Sequence, residues 1–162
     1  MTASCRSKRR PPTSRPAPPK FLHETLEKFG YPHSLVKEYR HWAVLCRPQQ
    51  VTLGACTIVI KDDIRAVGAV SAEAFAEFSE ICNDLERTVK VAFQNDKINY
   101  LALMMVDPQV HFHALPRYAE PRDFVGHTFI DTHWPKPPVL GDAPALSAVQ
   151  LNEIKQKLIE QF

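Results

Sequence analysis

The chain has 162 residues, 44% of them apolar, which is enough for one globular domain with a hydrophobic core and too little to expect two. Its formal charge is +2, but residues 1–20 carry six Lys or Arg and no acid, so the remainder is mildly acidic. No stretch approaches the roughly 18 apolar residues of a membrane span, and no apolar secretory segment follows the basic start. We therefore expect a cytoplasmic protein without a membrane partner. The four cysteines show no C-x-x-C spacing, and we expect reduced, mostly buried thiols.

Residues 1–20 form a basic, proline-rich arm. It has too few apolar side chains to offset the entropy of ordering, so we predict that it is disordered. Such a composition is typical of an unselective tail, of a segment that contacts nucleic acid or an anionic membrane, or of an organelle transit peptide. The composition alone does not distinguish these roles.

The first elements after the arm alternate between helix and strand. Residues 21–29 place apolar side chains at helical spacing and predict a short docking helix. Two β-branched segments, 41–46 and 55–60, are separated by a polar loop and predict an antiparallel pair of strands. Ser71 offers an N-cap for a helix over 71–94, whose apolar residues recur at spacings of three and four.

The second half of the chain is predicted to complete the sheet and to cover it. The apolar run 98–106 predicts a central strand covered on both faces, followed by a strand over 109–118. We expect the methionines of this run to fill the core. Residues 119–145 are rich in proline without a sustained period and predict an irregular segment that wraps the domain. Residues 146–162 predict an amphipathic C-terminal helix that packs on a domain formed by residues 21–145.

Gln109, His111 and His113 form a polar row in the predicted strand over 109–118. Side chains alternate between the faces of a strand, so these three point one way while Val110 and Phe112 point to the core. Burying such side chains without partners costs about 1 to 3 kcal/mol each, so we expect the row to face a cleft. An imidazole there can act as a nucleophile on phosphorus, as a general acid or base, or as a metal ligand. The pattern alone does not choose between these roles.

The segment 109–118 resembles the signature of the histidine triad family, in which His alternates with apolar residues three times before an apolar pair and Pro-Arg. The Ala-Leu-Pro-Arg that follows His113 sets the register, so His111 takes the central position, His113 the third and Gln109 the first. The resemblance extends over residues 39–118, because the order of two strands, a long helix and two further strands is also that of the family. It implies an α+β fold with an antiparallel sheet of about five strands, one long helix and a C-terminal helix.

The resemblance also implies an activity. In the family the central His, here His111, attacks the α-phosphorus of a purine dinucleoside polyphosphate or nucleoside phosphoramidate, and water or another acceptor resolves the nucleotidyl-histidine. His113 would stabilise the phosphate or the leaving oxygen through a hydrogen bond. A covalent route of this kind divides one difficult displacement into two easier ones. The chain would be a hydrolase or nucleotidyl transferase without an obligatory metal or other cofactor, and it would form a homodimer, as many family members do.

Some positions depart from the family pattern. Gln109 can exchange hydrogen bonds but cannot carry a proton at neutral pH, so a relay role is lost there. Arg47 lies near the position of the family's Asn or Asp that holds the ribose, and it is a candidate for substrate binding. Asn99 and Arg117 are further candidates, although Asn99 could equally be a satisfied core amide and Arg117 an anchor. Two other hypotheses stay open: a nucleotide-binding module that has lost useful catalysis, and a metal site on the two histidines.

Overall fold

The computed structural model describes residues 17–162. In chain order the elements are α1 (Glu24–Lys28), β1 (Leu35–Glu38), β2 (Trp42–Cys46), β3 (Cys56–Ile60), α2 (Ala72–Phe93), β4 (Lys97–Leu101), β5 (His111–Arg117), β6 (Arg122–Phe124), β7 (His127–Phe129) and α3 (Ala148–Gln161). One antiparallel sheet has the strand order β1-β2-β3-β5-β4, and β6 pairs with β7 in a separate hairpin. The predicted class, α+β with a five-stranded antiparallel sheet, a long helix and a C-terminal helix, is confirmed.

The long helix α2 begins and ends where its local sequence dictates. The Ser71 side chain accepts a hydrogen bond from the backbone N–H of Ala74, and Gln94 ends the helix in the left-handed conformation. One stripe of α2 is buried against the sheet, and each fully buried Leu or Ile there contributes about 1.5 to 3 kcal/mol. The buried apolar members of this stripe are Ala74, Ile81, Leu85, Val89 and Phe93.

The C-terminal helix α3 packs on α2 and on β1. Its start is fixed by a capping box, in which Ser147 and Gln150 exchange side-chain and backbone hydrogen bonds. Ile154 and Leu158 are fully buried in the same core as α2. The helix thus covers sheet surface that would otherwise be exposed.

The face of the sheet opposite α2 is covered by α1 and the residue that follows it. Leu26 and Phe29 pack there on Ala43, Leu45 and Val59, which alternate along β2 and β3 with the residues that face α2. The helix is shorter than predicted: it begins at Glu24, and Phe21 is 83% exposed. This second face is the one on which the candidate site lies.

The strand predicted over residues 98–106 differs from expectation in length and in place. β4 ends at Leu101 and lies at an edge of the sheet, beside β5. The residues after it form a loop in which Met105 and Val106 are 87% and 81% exposed. The prediction of a central strand with methionines in the core is therefore wrong, because an apolar run does not by itself separate a buried strand from an apolar surface loop.

Two features of the sheet architecture were not predicted. β1 has four residues and follows a turn, so its apolar pattern is too short to predict a strand. The β6–β7 hairpin lies in the segment expected to be irregular, and its turn residues Val125 and Gly126 have φ values of 49° and 73°. Positive φ at both central residues is typical of two-residue hairpin turns, but Val-Gly is not the usual sequence for one.

Most of the predicted disordered arm, residues 1–16, lies outside the described residues. No helix within residues 17–162 is long and apolar enough to cross a membrane. Cys46 and Cys56 are buried free thiols, and Cys82 is a half-buried one.

Candidate active site

β5 brings His111 and His113 side by side on the sheet face that α1 covers. Their ring centroids lie 5.0 Å apart, with the ring planes nearly perpendicular at 86°. His111 pairs with Val59 and His113 with Thr57 across β3. Both imidazoles are buried, with exposed fractions of 0% for His111 and 4% for His113. The predicted alternation therefore holds for the two histidines.

The backbone fixes the tautomer of His111. Its Nδ1 lies 2.8 Å from the carbonyl oxygen of Gln109. A carbonyl oxygen can only accept a hydrogen bond, so Nδ1 carries the proton and Nε2 has a free lone pair in the neutral ring. This Nε2 is buried and has no hydrogen-bond partner within the described chain. The arrangement presents one unprotonated, oriented nitrogen that can act as a nucleophile.

His113 is held neutral by its surroundings. Burial lowers its pKa to about 4, and the neighbouring His111 and the charge of Arg47 act in the same direction. Its Nδ1 is also buried without a hydrogen-bond partner among residues 17–162. Near pH 7 His113 can therefore exchange hydrogen bonds with a ligand, but it is not a cationic acid.

Phe29 forms a wall against both histidines. Its ring centroid lies 5.6 Å from that of His111 and 5.6 Å from that of His113. The spacing of apolar residues predicted a helix over residues 21–29, and α1 ends at Lys28, just before Phe29. The spacing did not indicate which face of the sheet this helix packs against. Phe29 is therefore a site residue that the sequence reading missed.

The side chain of Gln109 is bonded to α1 and to Asp63, not to either histidine. The Thr25 hydroxyl donates to its Oε1 at 2.5 Å, and its Nε2 donates to Asp63 at 2.9 Å and to Glu24 at 3.2 Å. The residue is 1% exposed and precedes β5, so the alternation of that strand does not govern its direction. Its amide is tied to α1 and to Asp63, and only its backbone carbonyl serves His111.

A cavity of about 360 Å³ opens beside His113. One side is the exposed apolar loop after β4, and the other carries charged side chains. Lys28 and Asp107 form an ion pair there, with Nζ and Oδ1 2.5 Å apart. Arg47 borders the same cavity, so the structure brings this predicted substrate-binding residue together with His113, whereas His111 is fully buried and does not line the cavity.

Asn99 and Arg117 lie together, but not at this cavity. The Arg117 guanidinium donates to Asn99 Oδ1 at 2.6 Å and to the two carboxylate oxygens of Asp131 at 2.6 and 3.1 Å. It also donates to the carbonyl of Lys136 at 2.8 Å, and it is 3% exposed. Arg117 thus anchors the proline-rich segment to β5.

The described part of the chain holds no group of three or more His, Cys, Asp or Glu side chains placed to bind one metal ion. The metal-site hypothesis thus gains no third ligand from these side chains.

No protein-family model and no curated protein matches the sequence. The fold is similar to that of several solved structures. A histidine triad protein from Sinorhizobium meliloti 1021 matches with a TM-score of 0.69 and 21% identity, over 88% of this chain and 96% of its own. A histidine triad protein from Marinobacter aquaeolei VT8 matches with a TM-score of 0.66 and 26% identity, over 87% and 96%.

A third structure, a hypothetical histidine triad nucleotide-binding protein from Sulfolobus tokodaii strain 7, matches with a TM-score of 0.64 and 15% identity, over 79% of this chain and 82% of its own. In the three structures the similarity covers between 79% and 88% of this chain. The chain has the fold of the histidine triad proteins.

Proposed function

We propose that this chain binds a purine nucleotide beside His113 and acts as a nucleotide hydrolase or nucleotidyl transferase, with His111 as the nucleophile. The observation that carries the proposal is the bond from His111 Nδ1 to the Gln109 carbonyl, which leaves Nε2 unprotonated and oriented. The similar Sulfolobus protein is described as nucleotide-binding, which supports a nucleotide ligand here.

The proposed reaction has two displacements at the α-phosphorus. The lone pair of His111 Nε2 forms a bond to phosphorus while the bond to the leaving oxygen or nitrogen breaks, and that atom takes the electron pair. A leaving nitrogen also takes a proton from water, so that it departs as the neutral amine. The positive charge on the imidazole is stabilised by the Gln109 carbonyl at Nδ1. Neutral His113 donates a hydrogen bond to a phosphate or leaving oxygen. Water or another acceptor then attacks phosphorus, breaks the P–N bond and loses its proton to solvent.

A second candidate function is a nucleotide-binding module with little catalysis. Two observations favour it: His111 is fully buried under Phe29, and the Gln109 amide is bonded to α1 instead of facing the cleft. In this case the nucleotide would occupy the cavity beside His113 without reaching Nε2.

Intact-mass spectrometry separates the two functions. The purified full chain is incubated with a panel of dinucleoside polyphosphates, nucleoside phosphoramidates and nucleotide sugars. We expect a nucleotidyl adduct on the parent and none on His111→Ala. The matched control is His127→Ala on β7, outside the cleft, and we expect it to form the adduct as the parent does.

An adduct on His111→Ala would rule out the covalent mechanism. Nucleotide affinity in calorimetry without adduct or product after hours would replace the enzyme by the binding module.

A further inference from the structure

A second cavity, of about 440 Å³, lies between α3, the turn after α1 and the end of β2, and we call it the α3 cavity. It is separate from the cavity beside His113, because neither that histidine nor the loop after β4 lines it. Its wall on the side of α3 is one face of the helix, with residues at spacings of three and four. These residues are Ala148, Leu151, Asn152 and Lys155.

Two cations border the α3 cavity, Arg47 and Lys155. Arg47 is 7% exposed; its Nη1 donates to the carbonyl of Gln49 at 2.6 Å, and its buried Nε has no hydrogen-bond partner among the described residues. Lys155 donates through Nζ to the carbonyl of His33 at 2.9 Å. No ion pair within residues 17–162 includes either cation. A guanidinium that is removed from water without an anion is costly to the fold, so an anion is the missing partner.

The described part of the chain supplies no counter-ion to this cavity, since none of the residues that line it carries a carboxylate. The Cys46 thiol, which also lines it, stays protonated, because burial raises its pKa to about 12 and the charge of Lys155 opposes this only in part. An acidic partner of Lys155 on the same helix would lie three or four residues away. Those positions are Leu151, Asn152, Leu158 and Ile159.

Arg47 also lines the cavity beside His113, so the two cavities have to be compared. Beside His113, Lys28 is paired with Asp107 at 2.5 Å, and the carboxylate of Asp107 acts on Arg47 as well. The α3 cavity adds Lys155 to Arg47, without an acid in its described lining. The unbalanced positive charge is therefore larger in the α3 cavity.

The rest of the lining indicates what kind of anion fits. Ala148, Leu151 and Pro48 give the cavity an apolar wall, and its volume of about 440 Å³ is in the range of small-molecule sites. We propose that the α3 cavity binds a small organic anion, a carboxylate or a phosphate ester with an apolar part, whose charged group is held by Arg47 and Lys155.

Both cations have donors to offer such a group. The planar guanidinium of Arg47 can donate two parallel hydrogen bonds to a carboxylate or a phosphate. The ammonium of Lys155 has three N–H donors, and the carbonyl of His33 occupies one of them. The inference does not depend on the proposed function, because neither His111 nor His113 lines this cavity.

The test is an NMR titration of the ¹⁵N-labelled full chain with benzoate, phenyl phosphate and benzyl alcohol. Each of the three carries one benzene ring, and the alcohol is the neutral control. We expect at least one of the anions to shift the amide signals of residues that line the α3 cavity. That anion should bind about tenfold or more tightly than benzyl alcohol. The comparison of the two anions shows which charged group the site prefers.

Two variants assign the binding to the α3 cavity. Asn152→Asp places a carboxylate three residues before Lys155 and keeps the bond to His33, so the chain then supplies its own counter-ion and anion affinity should fall about tenfold. Lys155→Gln removes one of the two cations and should also weaken anion binding several-fold. Gln156→Glu and Lys157→Gln are the matched controls: they make the same charge changes on α3 outside the lining, and they should bind as the parent does.

Binding of benzyl alcohol as tight as that of the anions, or anion binding that survives in Asn152→Asp, would overturn the inference. Equal loss of binding in Gln156→Glu would also overturn it, because the net charge of the chain would then explain the effect. The same holds if neither anion shifts the signals of the α3 cavity at about 10 mM.

Discussion

His113 shows how one buried side chain couples the site to the pH dependence of the fold. Its pKa is lowered to about 4, whereas an unperturbed histidine titrates near 6.5. Between these pH values the unfolded chain binds a proton that the native chain does not, so stability falls as the pH falls through this window. Above about pH 6.5 the group contributes nothing to the pH dependence.

We therefore predict that His113→Asn flattens the acid side of the stability profile. From pH 7 to pH 4.5 the parent should lose on the order of 2 kcal/mol more unfolding free energy than the variant. Urea unfolding at several pH values measures the difference. The control is His127→Asn, in which the parent's acid-side loss should persist; equal slopes for His113→Asn and the parent would contradict the assigned cause.

At the scale of elements, the sequence predicted what is locally encoded. The bounds of α2 follow from its Ser71 cap and from apolar spacings within the helix. His111 and His113 lie on the same face of the sheet because side chains alternate along one strand. The edge position of β4 and the docking face of α1 depend on contacts between residues far apart in sequence. For Gln109, the local sequence predicted its position in the histidine triad motif. It could not predict the hydrogen bonds to Thr25 and Asp63, which are distant in sequence.

Gln109 joins α1 to the start of β5, and its replacement by Glu tests that link. A carboxylate there would lose the two donated hydrogen bonds and would face the carboxylates of Glu24 and Asp63. We predict that Gln109→Glu loses about 1 to 3 kcal/mol of unfolding free energy at pH 7. Burial and repulsion raise the pKa of the new carboxyl in the folded state, so the loss should shrink as the pH falls through that value.

Urea unfolding of Gln109→Glu at pH 7 and near pH 4.5 provides the measurement. Gln156→Glu, an exposed substitution on α3 with the same change of charge, should be nearly neutral at both pH values. The role assigned to Gln109 is wrong if its Glu variant is as stable as the parent at pH 7. The hydrogen bond from Gln109 also lowers the pKa of Asp63, so the pKa of Asp63 should rise in the variant.

At the scale of the whole molecule, the two edge strands of the sheet, β1 and β4, lie in different environments. β1 is packed against α3, while β4 forms the other edge of the sheet. The homodimer implied by the family resemblance would use α2 and a sheet edge, and β4 is the edge that suits this arrangement. It stays a prediction, and the mass in static light scattering, compared with 18.4 kDa for one chain, decides it.

The charge of the chain is divided between its two parts, with five Lys or Arg in residues 2–16 and an excess of acid in residues 17–162. In the proposed function a polyanionic nucleotide would approach a cationic cavity on an otherwise acidic body, so the arm should offset long-range repulsion. We predict that deletion of residues 2–16 weakens binding of a nucleoside tetraphosphate several-fold at low salt. The difference should vanish near 1 M salt, where the screening length falls to about 3 Å. Titrations across a salt series measure this, and replacing Lys8, Arg9 and Arg10 by Gln should give an intermediate slope. Identical salt dependence in all three proteins would show that the arm has no part in nucleotide capture.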